Sequence, residues 1–242
     1  MSTPPYSAPV TPSIPSKSSK KVSGMKHLVT TFAHLPLPDS RRQLVEAHDF
    51  LVARCRAMAS IPNAGPLWGI QMKRLRVDLK IAGRPAIVCK DAERFGEVVN
   101  MVATLERLIA ALEWFGQQSE FGSLRVKECH PSTSSAKGSN DLVLENDMGR
   151  VAVRCEVCDV ASSTADHNGK ERKDIKSLGC TTGVPSDGVR RFICTSPEFA
   201  RAIQSDKRQW GQRQHRYREI AVGDEGDSVL VELVSSPTGT MA

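Results

Sequence analysis

Between residues 138 and 179 the alternation of apolar and polar positions predicts two paired strands and a helix. Leu142 to Leu144 is a short apolar run with Asn140 and Asp141 at its mouth, and an Asp147-Met148-Gly149 turn leads into Val151 to Val160. Successive strand residues point to opposite faces, so Val151, Val153, Cys155 and Val157 share one face. Ala152, Arg154, Glu156, Cys158 and Val160 share the other. A helix then runs from about Asn168 to Gly179, with Lys170, Lys173 and Lys176 about one turn apart beside Glu171 and Asp174.

Upstream, Leu44, Ala47, Leu51 and Cys55 recur at helical spacing behind an Asp39-Ser40 cap, and Pro62, Asn63, Gly65 and Pro66 end that helix. Leu75, Val77, Leu79 and Ile81 alternate with Arg76, Asp78 and Lys80, and a Gly83-Arg84-Pro85 turn leads to Ala86 to Cys89, a second hairpin. The longest helix is predicted from Asp91 to about Phe115, where Phe95, Val98, Val102, Leu105, Ile109 and Leu112 form an apolar seam. A strand follows at Ser123 to Cys129. Past Gly179, a strand at Arg191 to Cys194 precedes a helix capped by Ser196 with Pro197 at its first position. Ile220 to Val222 and Ser228 to Val234 form a terminal hairpin.

Composition divides the chain. Residues 1–24 are rich in Pro, Ser and Thr and predict a disordered tail. Residues 39–90 form an N-terminal helix and hairpin decoration, 91–234 the main domain, and 235–242 a flexible C-terminus. A net charge of +6 and a pI near 9.0 favour an anionic partner. The most basic stretch, KRQWGQRQHRYR, interleaves Lys207, Arg208, Arg213, Arg216 and Arg218 with Trp210, His215 and Tyr217. Guanidinium groups suit phosphate oxygens and aromatic faces stack on bases, so these five basic residues are candidate nucleic-acid contacts. Seven scattered cysteines and no secretory segment lead us to expect a cytoplasmic protein, and no apolar run approaches the length of a membrane span.

Two acids, one at a strand mouth and one on its hairpin partner, offer hard oxygen ligands of the kind that suit magnesium or manganese. A nearby lysine would stabilise charge on a phosphate or orient a water. The plainer alternative makes Asp141 a strand-end residue, Glu156 a solvated position and the lysines a wet helix face. Cys155 and Cys158, with Cys180 and Cys194, supply four thiolates for zinc, although strand residues three apart point to opposite faces. A Cys158 thiol nucleophile beside His130 or His167 is a further chemistry weighed. No phosphate-binding glycine loop is present.

At Asn140-Asp141, Glu156 and the lysine-bearing helix, the sequence resembles the PD-(D/E)XK superfamily of restriction-endonuclease-like nucleases. The resemblance spans roughly Asp91 to Cys194. It implies Asp141 and Glu156 as the motif's acids, catalytic and holding Mg2+ or Mn2+. Cys158 stands where the motif lysine is expected. Members that supply the lysine from the following helix imply Lys173, with Lys170 second. The expected fold is α/β, with a restriction-endonuclease-like α-β-β-β-α-β core, and the expected function is metal-dependent phosphodiester hydrolysis in nucleic acid, DNA foremost. The alternative keeps the fold without the chemistry, as a nucleic-acid-binding or assembly module. A third use is homodimerisation through the long helix's seam.

Overall fold

The computed structural model describes residues 34–59, 95–130, 140–158, 173–180, 184–205, 215–222 and 227–235. In chain order the elements are β1 (Leu35–Pro36), α1 (Leu37–Ala59), α2 (Phe95–Gln117), β2 (Arg125–Cys129), β3 (Leu142–Glu145) and β4 (Val151–Cys158). There follow α3, described over residues 173–177, then β5 (Arg190–Thr195), α4 (Pro197–Ser205), β6 (His215–Val222) and β7 (Ser228–Ser235). The result is a mixed α/β protein built on a seven-stranded sheet, ordered β1-β2-β3-β4-β5-β7-β6. Every neighbouring pair is antiparallel except β4 with β5. A parallel pair needs a crossover connection, and α3 lies within it.

Helices cover both faces. On one, Leu142, Leu144, Val153, Cys155 and Val157 pack with Leu44 and Leu51 of α1 and Leu105 and Leu112 of α2 in the larger core. The alternation read from the sequence sends those strand positions there, and the stepping of Val98, Leu105 and Leu112 gives α2 its buried stripe. α1 thus contributes to the same core as α2. On the other face, Cys158, Ile193, Val229 and Val231 pack with Ile175, Leu178, Phe199 and Ala200 in a smaller core. Three rings close the base of the larger core, with Phe115, Phe121 and Phe192 centroids 5.1 to 6.2 Å apart in edge-on pairs.

Local chemistry sets the element ends. α3 stops in a Schellman motif: Cys180 N donates to Ile175 O at 2.9 Å, Gly179 N donates to Lys176 O at 3.0 Å, and Gly179 has φ 74°. Phe199 N donates to the Ser196 hydroxyl at 3.2 Å, the predicted cap of α4. In the β3–β4 turn Asn146 Oδ1 accepts from Met148 N and Arg150 N, each at 3.0 Å. One reading needs amending, one strand is additional, and several readings lie outside the described residues. The basic stretch is strand from His215 onward, so β6 is longer than Ile220 to Val222. β1, a two-residue strand, adds to the sheet beside β2. The 75–89 hairpin, together with Asp159, Val160 and the start of the lysine-bearing helix, lies outside the described residues.

Candidate active site at the start of β3 and the end of β4

Strand register brings the two predicted acids together. Leu142 pairs with Cys155, so one step further Asp141 falls beside Glu156. Val157 N donates to Asp141 Oδ2 at 2.8 Å, which ties that carboxylate to the β4 backbone. Glu156 is on the face covered by α3 and α4. Both acids are buried, with Asp141 6% and Glu156 3% exposed. Glu156 is therefore not the solvated strand position of the plainer alternative, whereas Asp141 does stand at the strand end. A buried carboxylate is costly unless hydrogen-bonded, and the neighbours of Glu156 supply the bonds. Asn140 Nδ2 donates to Glu156 Oε1 at 2.6 Å, and the Ser177 hydroxyl lies 2.5 Å from the same oxygen. Behind Asn140, Arg154 Nη1 donates to Asn140 Oδ1 at 2.8 Å. Oε2 of Glu156 accepts no hydrogen bond among the described residues.

Across β2 the row continues. His130 N donates to Asp141 O at 2.7 Å, which sets buried His130 on the face of Asp141, with its Nε2 3.7 Å from Glu128. Lys173 is exposed on α3, one turn before Ser177 on the same side of the helix, and Lys176 is exposed as well. Cys158 shares the face of Glu156, as expected, but is wholly buried in the smaller core. The position where the resemblance leads one to expect a lysine is therefore filled by a core side chain. Burial raises the Cys155 thiol well above its usual range, with smaller contributions from Cys194, Glu156 and Asp141. It raises Cys129 likewise, and the charge of Asp141 adds to it.

Of the predicted basic residues, the two whose backbone is described, Arg216 and Arg218, are not at this site. Lys207, Arg208 and Arg213 lie outside the described residues. Arg218 is exposed on β6, opposite Glu232, and Arg216 is opposite Val234. Both stand at strand positions of the same parity as Ile220 and Val222, whose side chains join the larger core. They belong to the reverse face from Glu156, and β6 is three strand steps from β4, about 14 Å. The four cysteines weighed for zinc are also divided. Cys155 and Cys194 lie in the larger core and Cys158 and Cys180 in the smaller, on opposite sides of the sheet.

The acids supply two carboxylates on neighbouring strands. Among the described residues no group of three or more His, Cys, Asp or Glu side chains is arranged to hold a metal ion. Two adjacent carboxylates suit magnesium or manganese, which retain several waters and complete their shell with substrate phosphate oxygens. Arg154 and Ser177 escaped the sequence reading, and Asn140 was read only as a neighbour of Asp141. The available signal was the helical spacing of Lys173 and Ser177 and the shared strand face of Arg154 and Glu156. No family model, curated protein or solved structure matches the chain.

Proposed function

We propose that the protein is a metal-dependent nuclease of restriction-endonuclease-like fold that hydrolyses phosphodiester bonds in nucleic acid, DNA foremost. The observation that carries this reading is the pairing of Asp141 with Glu156, at the mouth of β3 and the end of β4, under a helix that presents Lys173. The strand order supports it too, since a β2-β3-β4 meander followed by a parallel β5 is the arrangement that the expected α-β-β-β-α-β core requires. Asp141 and Glu156 would hold Mg2+ or Mn2+, and the ion would supply Lewis acidity to the site. Lys173 neutralises charge developing on the phosphate and orients the attacking water, the task that Cys158 cannot perform. Lys173 and Lys176, exposed on α3, are the phosphate contacts on the side of the acids, and Arg218 is a separate contact on the reverse face.

The test is cleavage of labelled plasmid, duplex and single-stranded DNA with Mg2+ or Mn2+. Glu156→Ala should lower the rate at least about a thousandfold, the equivalent of several kcal/mol of lost charge stabilisation. Lys173→Ala should lower kcat by about 10²- to 10³-fold, as loss of one donor to a developing charge does. Cleavage that survives Glu156→Ala would end this reading.

Burial of Cys158 favours a second one, a catalytically degenerate module that binds nucleic acid without cutting it. Wild-type protein that binds these substrates in a salt-sensitive manner, does not cut them, and is unaffected by either substitution would establish the module instead.

A further inference from the structure

Glu156 is held by one of its two oxygens. Oε1 takes the Asn140 amide at 2.6 Å and the Ser177 hydroxyl at 2.5 Å. The Asn140 amide is itself oriented, because Arg154 Nη1 donates to its Oδ1 at 2.8 Å and so turns Nδ2 toward Glu156. A guanidinium only donates and a carboxylate only accepts, so the reverse orientation of the amide would lose both bonds. The Ser177 hydroxyl also lies 2.7 Å from the carbonyl of Asp174, which confines it to the end of α3. The carboxylate plane is thus anchored from the start of β3 and from α3, and among the described residues Oε2 accepts no hydrogen bond.

We infer that Asn140, Ser177 and Arg154 are positioning residues that make Glu156 a one-oxygen ligand and thereby select a small octahedral cation over calcium. This rests on the nuclease reading of the acids. Ca2+ takes more ligands at longer range and often uses both oxygens of a carboxylate. Mg2+ and Mn2+ require single oxygens at short, near-octahedral positions and keep their waters. The Asn140 amide on Oε1, together with the Ser177 hydroxyl whose single proton is shared between Oε1 and the Asp174 carbonyl, opposes the two-oxygen mode, since a cation reaching Oε1 has to displace them. Removing a donor frees the carboxylate to turn, which weakens the octahedral ion and relieves the bias against calcium. Outer partners of this kind typically change metal affinity by about 10- to 100-fold.

The experiment uses the full chain without nucleic acid. Free Mn2+ is measured by electron paramagnetic resonance as protein is added, and Ca2+ is then titrated as competitor. Wild type should bind Mn2+ and resist Ca2+. Asn140→Ala, Ser177→Ala and Arg154→Met should weaken Mn2+ by about 10- to 100-fold and narrow the Mn2+ to Ca2+ preference. Ser177→Thr, which keeps the hydroxyl, should restore both, an outcome that a loss of packing alone would not give. Ser177 and Arg154 are half-buried, so those variants report even where Asn140→Ala fails to fold. Variants that keep wild-type Mn2+ affinity and wild-type competition by Ca2+ would overturn the inference and leave the nuclease reading standing. Wild type that binds no Mn2+, or binds it equally after Glu156→Ala, would overturn the metal site and the inference together.

Discussion

Arg191 shows how a single buried side chain holds a connection in place. It is 3% exposed, and its Nε donates to the carbonyl of Leu178 at 2.7 Å while Nη2 donates to Asp187 Oδ2 at 2.7 Å. One guanidinium thus joins the end of α3, the turn before β5 and β5 itself. Hydrogen bonding to Arg191 is the main reason that Asp187 titrates at about 2, below its ordinary 3.8. A depressed folded value means that the stabilisation is fully present above the unfolded value and is lost as pH falls through the folded one. Asp187→Asn should therefore lower stability near neutral pH, and the difference from wild type should fade as pH drops through about 2. Urea denaturation across that range checks it. Asp141 and Glu156 were legible because a period of two assigns faces without any knowledge of the fold. Asn140, Ser177 and Arg154 meet at Glu156 only after β3, β4 and α3 have come together, and no local pattern records that meeting.

Among elements, α3 has an ending defined by its backbone hydrogen bonds. Gly179 has φ 74°, and a Cβ added there would meet nothing within 4 Å, so a substitution costs conformation alone. Gly179→Ala should destabilise by about 1 to 2 kcal/mol, and Gly179→Asn by less, as read by urea denaturation. The helix end carries Ser177, so the alanine variant should also loosen Mn2+ binding more than its stability loss explains. β4, α2 and α4 were readable for matching reasons: alternation in the first, a stepped seam in the second, and a Ser-Pro start in the third. The beginning of β6 was not. Arg216 and Arg218 sit at the positions whose strand partners are Val234 and Glu232, and their charge masks the alternation that Ile220 and Val222 display. Pairing with β7, rather than any apolar stripe of its own, makes that segment a strand.

At the scale of the whole molecule the sheet is the common partition. It separates a larger core under α1 and α2 from a smaller one under α3 and α4, and the acids face the smaller. A cavity in the larger core should accordingly cost stability before it costs chemistry. Phe115→Ala removes a fully buried ring and should destabilise by about 3 to 5 kcal/mol, with residual folded protein retaining the wild-type metal preference. Calorimetry and the Mn2+ titration measure the two quantities separately.

The position of β7 bears on how the chain is made. It follows both β5 and β6 in sequence, yet it lies between them, bonded to β5 from Arg191↔Leu233 to Thr195↔Val229 and to β6 along its length. During synthesis, β5 therefore emerges with an open edge and β6 emerges with nothing to pair against. Both wait until residues beyond Ser228 have cleared the ribosome. Completion of the sheet is delayed until β7 has been made, and a chain cut at Asp227 should be expanded and sticky instead of a slightly smaller version of the native protein.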